Sequence, residues 1–79
     1  MNNNIFFENL IKADNNDNNA IQYILDYENY EKLENLEKDE RFMEYEKKKT
    51  YWGLFAFGRI YINGLGVTKN EQLGIKYYK

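Results

Sequence analysis

Apolar residues near the N-terminus recur at the spacing of an amphipathic helix. Phe6, Leu10 and Ala13 fall on one face, and Phe7 and Ile11 lie beside them to form a broad apolar surface. The pattern predicts a helix over roughly residues 5–13, with the asparagines at positions 2–4 placed to cap it.

A run of Asn and Asp residues at 14–19 separates this helix from the next apolar stripe. Both residue types favour turns and caps, so the run predicts a loop that ends in the N-cap of a second helix. That helix is expected from Ala20 to about Asn29. Its stripe comprises Ile21, Ile24 and Leu25, with Tyr23 and Tyr27 beside it.

The middle of the chain is dominated by charge, with 14 charged residues between positions 28 and 49. Leu33, Leu36, Phe42 and Met43 keep helical spacing at low density, which indicates a solvated helix or two short ones. A break is expected near Lys38 and Asp39, where Asp39 has the chemistry of an N-cap.

Two structures are compatible with residues 55–68. Aromatic and β-branched residues around the dipeptide Asn63-Gly64 favour a β-hairpin. Glycines at 53, 58 and 66 weaken both strands of that hairpin, and no third strand is available to pair with it. In the helical alternative, Phe57 and Tyr61 share a face and Gly64 ends the helix in the left-handed conformation.

The glycine spacing of residues 53–78 resembles the Sel-one-like repeat, a relative of the tetratricopeptide repeat. Phe57 stands where that family usually has Leu, Gly53 and Gly74 where it has Ala, and Asn70 where it has Asp. Gly58, Tyr61, Gly64, Gly66 and Val67 match the family pattern outright. The positions that define the repeat are Gly53, Phe57, Gly58, Tyr61, Gly64, Gly66, Val67, Asn70 and Tyr77, with Tyr78 completing the aromatic pair of the second helix.

The resemblance implies an all-α fold of antiparallel helix pairs, forming a short α–α superhelix, or solenoid, fragment. Residues 1–79 are expected to form a single helical domain. Within it, residues 1–49 are divergent N-terminal helices and residues 50–79 are the repeat. Gly58 is expected to allow a close approach of the paired helix, and Asn70 to cap the second helix.

The amino-acid composition excludes several classes of catalytic and metal-binding site. The chain has no His, Cys, Ser or Pro, and its non-phenolic hydroxyls are Thr50 and Thr68. Ser/His and Cys/His nucleophilic catalysis and thiolate or imidazole metal sites are therefore excluded, and no cofactor is predicted.

Charge is spread unevenly. Residues 1–49 carry a net charge of −5 and residues 50–79 a net charge of +3. The acidic half disfavours a dedicated nucleic-acid binder, and the asymmetry favours head-to-tail contact between copies. No apolar run reaches the roughly 20 residues of a membrane span, so no membrane association is expected.

The location predicted for the protein is cytoplasmic. The start of the chain lacks the pattern of a secretory signal, and the absence of Cys is compatible with a reducing compartment. Asn, Lys, Ile and Tyr supply 36 of the 79 residues, a bias towards AT-rich codons that fits a giant virus, an intracellular bacterium or a protist. For a virus, host cytoplasm or virion is expected.

Three local clusters contain the residue types of a specific binding or catalytic site, and each also has a purely structural explanation. Gly64 and Gly66 lack the strand and third glycine of a phosphate loop and are better explained as a helix–helix turn. The cluster Lys47–Trp52 has the lysines and aromatics of a nucleic-acid stacking site, but exposed lysines on a solvated helix are the commoner outcome. The carboxylate pairs Asp39/Glu40 and Glu44/Glu46 fit surface solvation better than catalysis.

The function predicted is a non-enzymatic protein–protein interaction module or adaptor of the helical-repeat type. A self-assembling structural protein is the alternative, supported by an aromatic content of 18%, and a nucleic-acid accessory using Lys47–Trp52 is less favoured. Partners are a protein, a peptide or a second copy. The candidate interface comprises Leu73, Tyr77 and Tyr78 on the last helix.

Overall fold

The computed structural model describes residues 2–78, which form five α-helices and no strand. These are α1 (Asn2–Asp14), α2 (Asn18–Leu25), α3 (Glu40–Lys48), α4 (Tyr51–Asn63) and α5 (Glu71–Tyr78). Two short 3₁₀ segments, Tyr27–Tyr30 and Leu36–Lys38, connect α2 to α3. The all-α class is confirmed, and Asn63-Gly64 ends a helix instead of turning a hairpin.

The first two predicted helices are present, with ends that differ from the predicted positions by one to four residues. α1 starts at Asn2, so the asparagines form its first turn instead of preceding it. The Asp17 side chain caps α2 by accepting the N–H groups of Asn19 and Ala20. The second helix stops earlier than predicted, at Leu25, because Asp26 takes an extended conformation and caps the following 3₁₀ segment.

The charged middle of the chain forms the two 3₁₀ segments and α3 instead of one long helix. Asp39 caps α3 through the N–H of Arg41, at the predicted break. Leu33 and Leu36 are buried although neither lies in an α-helix. Met43 is exposed, in contrast to Phe42, which lies in the core.

The C-terminal helices α4 and α5 run antiparallel. Contacts between them progress from Gly64 with Lys69, through Ile62 with Gly74, to Gly58 with Tyr78. Thr50 caps α4 by accepting the Gly53 N–H, and Gly64 ends it with φ +66°. This pair forms the most extensive helix–helix packing in the molecule.

One apolar core joins both halves of the chain. α1 supplies Phe6, Phe7, Leu10 and Ala13, whereas Ile11 of the predicted broad face is exposed. The other buried apolar residues come from every helix except α5 and from the connecting segments: Ala20, Ile24, Tyr30, Leu33, Leu36, Phe42, Tyr45, Ala56, Phe57 and Ile60. Since α1 packs against both α2 and α4, the two ends of the chain share this core.

Candidate interaction surface

Glycines let α4 and α5 approach backbone to backbone. A Cβ placed on Gly74 would lie 2.5 Å from Ile62 Cγ1 and 2.9 Å from the Gly58 carbonyl oxygen. A Cβ on Gly58 would lie 2.8 Å from the Tyr78 ring. All three distances are inside van der Waals contact. At Gly74 the contact includes the α4 backbone, so the approach there requires a residue without a side chain. The close approach predicted at Gly58 is present, and Gly74 forms its tighter side.

The loop between these helices has the predicted left-handed Gly64 at its start and the predicted Asn70 cap at its end. Gly64 and Gly66 have positive φ, and Val67 is half-buried against the core. Asn70 caps α5, because its side-chain oxygen accepts the Leu73 N–H at 3.1 Å.

The same loop is bonded to the first half of the chain. The Leu36 N–H donates to the Gly66 carbonyl at 2.8 Å, and the Thr68 N–H donates to the Glu37 carboxylate at 2.8 Å. These bonds place the glycine loop on the second 3₁₀ segment. Its backbone groups are used for folding, in keeping with a turn and not a phosphate site.

Gly53 and Phe57 turn towards α3. A Cβ on Gly53 would lie 3.1 Å from the Tyr45 ring, and Phe57 packs against Phe42 with ring centroids 4.6 Å apart. Phe57, which stands where Leu is usual in the resembling family, therefore fills the space between α3 and α4 with an aromatic ring.

Tyr77 faces inwards and not outwards. Its ring stacks on Tyr61 with centroids 5.8 Å apart and an interplanar angle of 17°. Its hydroxyl donates to the Glu46 carboxylate on α3. Burial, reinforced by that hydrogen bond and the negative charge of Glu46, raises the Tyr77 pKa.

Because Tyr77 faces inwards, the three residues predicted as an interface on the last helix are not all exposed. Leu73, Tyr77 and Tyr78 do not share one exposed face, since Tyr77 and Leu73 are half-buried and only Tyr78 is exposed. Ile75 is the other exposed apolar residue of α5. The helix turns consecutive residues by about 100°, so the adjacent Tyr77 and Tyr78 point to different sides.

Four aromatic rings form a continuous exposed or half-exposed row, which we name the aromatic strip: Tyr51, Trp52, Phe55 and Tyr78. Successive ring centroids are 4.9, 5.7 and 6.4 Å apart. Tyr51 is 76% exposed and Tyr78 is 50% exposed, so both ends of the strip reach solvent. The strip runs along α4 and continues onto α5.

A guanidinium lies beside the strip. Arg59 is 4.7 Å from the centroid of Phe55, 5.1 Å from that of Tyr30 and 5.9 Å from that of Tyr27. It also donates to the Leu25 carbonyl at 2.7 Å and so satisfies the C-terminal end of α2. Arg59 thus joins α4 to α2 and gives the strip a positive edge.

The lysines that precede the strip are all exposed, while the aromatic residues of the same cluster differ in their exposure. Lys47, Lys48 and Lys49 reach solvent, but Tyr45 is buried, and only Tyr51 is free of the core. Lys48 lies 5.0 Å from the centroid of the Tyr45 ring. The cluster therefore presents one well-exposed ring, Tyr51, beside the half-buried Trp52, whereas a nucleic-acid stacking site uses several exposed aromatics in succession.

One carboxylate of each candidate pair has a structural partner. Asp39 forms an ion pair with Arg41 at 2.7 Å, and hydrogen bonding to this guanidinium lowers the Asp39 pKa. A general acid needs the opposite shift. Glu46 accepts the Tyr77 hydroxyl, and no group of His, Cys, Asp and Glu that could hold a metal occurs within residues 2–78.

Sequence reasoning missed the strip as a unit. The order Tyr51-Trp52-x-x-Phe55 places three aromatics on neighbouring helical positions, which is a usable signal. Nothing local indicates that Tyr78 continues the row or that Arg59 borders it, because both contacts bridge separate helices.

Among the described helices, none has the length and apolar character needed to cross a bilayer. No family model, curated protein or solved structure matches this chain.

Proposed function

We propose that this protein is a non-enzymatic interaction module whose binding surface is the aromatic strip. The observation that carries this proposal is the continuous row of Tyr51, Trp52, Phe55 and Tyr78, in which Tyr51 and Tyr78 are exposed while Trp52 and Phe55 are partly buried against the core. Large aromatic side chains are enriched at the centres of protein interfaces, where they bury much surface at low entropic cost.

The strip rests on a rigid support. Thr50 caps the helix that carries three of its rings, and the Asp14 carboxylate accepts the Trp52 N–H at 3.2 Å. Arg59 fixes the inner edge through its bond to Leu25. A preorganised surface loses little conformational entropy on binding, and this raises the affinity for a partner.

We further propose that α4 and α5 form one unit of a Sel-one-like repeat within a short α–α superhelix fragment. The glycine contact at Gly58 and Gly74, the left-handed Gly64 and the capping Asn70 support this proposal. Such units stack on neighbours and present helix faces to partners, which suits an adaptor or scaffold role.

The proposal excludes catalysis on chemical grounds. The sequence lacks His, Cys and Ser, so the common nucleophiles and the usual general base are missing. Several of its carboxylates take part in capping, in ion pairs or in hydrogen bonds to phenols, as Asp39 and Glu46 do.

Site-specific photo-crosslinking in the native host tests the binding surface. A benzoyl-phenylalanine introduced at Tyr51 or Tyr78 is expected to give discrete protein adducts. Matched controls carry it at Ile5 or Ile11, which are exposed apolar residues of α1 outside the strip. Equal adducts at all four positions, or none at Tyr51 and Tyr78, would contradict the proposal.

A further inference from the structure

The strip lies in a strongly basic part of a strongly dipolar chain. Residues 47–79 contain seven bases and one acid, a net charge of +6, whereas residues 1–46 contain twelve acids and four bases, a net charge of −8. Lys47, Lys48 and Lys49 directly precede the strip, and Arg59 borders it. A partner surface for the strip must therefore combine apolar groups with negative charge.

The chain itself carries such a surface on α3. Glu40, Met43 and Glu44 are exposed on the side opposite the buried Phe42 and Tyr45, and Lys47 follows one turn later on the same side. Met43 is 54% exposed and is the one large apolar side chain of α3 that reaches solvent. We name Glu40, Met43 and Glu44 the acidic face.

We propose that the aromatic strip of one copy binds the acidic face of a second copy, head to tail. This inference rests on the proposed function, because it names the occupant of the same surface. Met43 would lie against the strip, where a thioether packs favourably on aromatic rings. Glu40 and Glu44 would meet the cations that flank the strip.

Charge decides between this arrangement and a symmetric dimer. A strip-to-strip contact would bring the two basic regions together, and a contact between acidic faces would bring two acidic regions together. Head-to-tail contact places unlike charges at the interface, which steers encounter and selects the orientation. Because the two patches are different, the contact is heterologous and leaves a free patch at each end for further copies.

Sedimentation equilibrium of the full chain tests the proposal, from about 1 μM to about 1 mM, where small interfaces associate. The average mass is expected to rise beyond that of a dimer, and association is expected to weaken as salt increases. A strip variant with Lys49→Glu and Tyr51→Glu should weaken association at least about tenfold. An acidic-face variant with Met43→Lys and Glu44→Lys should do the same.

A control variant with Glu8→Lys and Ile11→Lys makes the same chemical change on an exposed part of α1. It should associate like the parent. Circular dichroism should show the same helical content for all four proteins.

Mixing the two interface variants gives the sharpest outcome. Each retains the patch that the other has lost, so an equimolar mixture should form a dimer that does not grow further. Failure of the mixture to associate, or an equal loss in the α1 control, would overturn the head-to-tail arrangement.

A parent protein that stays monomeric throughout would also overturn it, without overturning the proposed function. That function is tested separately by the crosslinks at Tyr51 and Tyr78. Adducts there with other proteins, from a chain that does not associate with itself, would assign the strip to an external partner.

Discussion

The Asp14 carboxylate, at the end of α1, accepts the backbone N–H of Trp52 at 3.2 Å and so caps a helix that begins 37 residues later in the chain. The same carboxylate accepts the hydroxyl of Tyr45 from α3. Three helices therefore meet at one side chain. A negative charge at the N-terminus of α4 is also favourable to the helix dipole.

Asp14→Ala is expected to lower the free energy of unfolding by about 1–3 kcal/mol, since a helix cap is lost and the Tyr45 hydroxyl keeps only the longer bond to the Leu10 carbonyl. Urea denaturation followed by circular dichroism measures the loss. Glu8→Ala is the control on the same helix, because that carboxylate forms only an exposed pair with Lys12. The control should change stability by no more than about 0.5 kcal/mol, and an equal effect of the two changes would contradict the capping role.

Gly74→Ala is expected to destabilise the protein by about 1–3 kcal/mol, because the new methyl group would meet the α4 backbone. Helix propensity alone predicts the opposite sign, a gain of about 1 kcal/mol. Gly58→Ala should cost less, since its methyl group meets the exposed Tyr78 ring, which is able to rotate away. Thermal melting compares the two, and a higher melting temperature for Gly74→Ala would refute the close-packing argument.

Arg59→Lys is expected to lower the free energy of unfolding by about 1 kcal/mol. The planar guanidinium donates to the Leu25 carbonyl and lies over the Phe55 ring at the same time, and lysine lacks this planar group. Lys69→Ala serves as the control, as its amine pairs only with the exposed Glu71. Urea denaturation midpoints should fall for Arg59→Lys alone. Equal midpoints for both variants and the parent would show that the guanidinium does not join α2 to α4.

The adjacent residues Tyr77 and Tyr78 should respond oppositely to the same substitution. Tyr77→Glu places a carboxylate beside Glu46 in a half-buried position and is expected to destabilise the fold by about 2 kcal/mol or more. Tyr78→Glu should leave the fold intact, because that side chain reaches solvent. The helical signal on heating tests this contrast, which would fail if both variants melted alike.

Alkaline pH is expected to destabilise the protein. Burial raises the pKa of Tyr23, Tyr30, Tyr45, Tyr61 and Tyr77. Between the unfolded tyrosine pKa, about 10, and the higher folded values, the unfolded chain binds fewer protons, so stability falls as pH rises.

Urea midpoints measured from neutral pH upwards should therefore be constant at first and should decline above about pH 10. Tyr45→Phe removes one of these titrating groups and should make the decline shallower. A midpoint that does not change with alkaline pH would contradict the burial of these phenols.

Local sequence chemistry was sufficient to locate most helix ends. Asp39, Gly64 and Asn70 act within three or four residues of their own position, because a cap satisfies the first N–H groups or last carbonyls of an adjacent helix. The helical outcome at Asn63-Gly64 followed from the glycine spacing once the resemblance was considered. Apolar periodicity likewise placed Phe6, Leu10 and Phe57 in the core.

The candidate surface depended on contacts that sequence spacing does not encode. The sequence indicated an excess of aromatics and a charge asymmetry, but not which rings would be covered. Tyr77 and Tyr78 are chemically identical neighbours, and α3 alone decides that one is bonded to Glu46 while the other extends the strip.

Aromatic content, charge distribution and caps were therefore determined by the sequence itself, since each depends on residue identity or on neighbours within one helical turn. Tertiary structure decided the roles of Asp14, Arg59 and Tyr78, whose partners belong to other helices. The physical reason is that a side chain's exposure depends on which distant elements pack against it, and that packing is a property of the whole core.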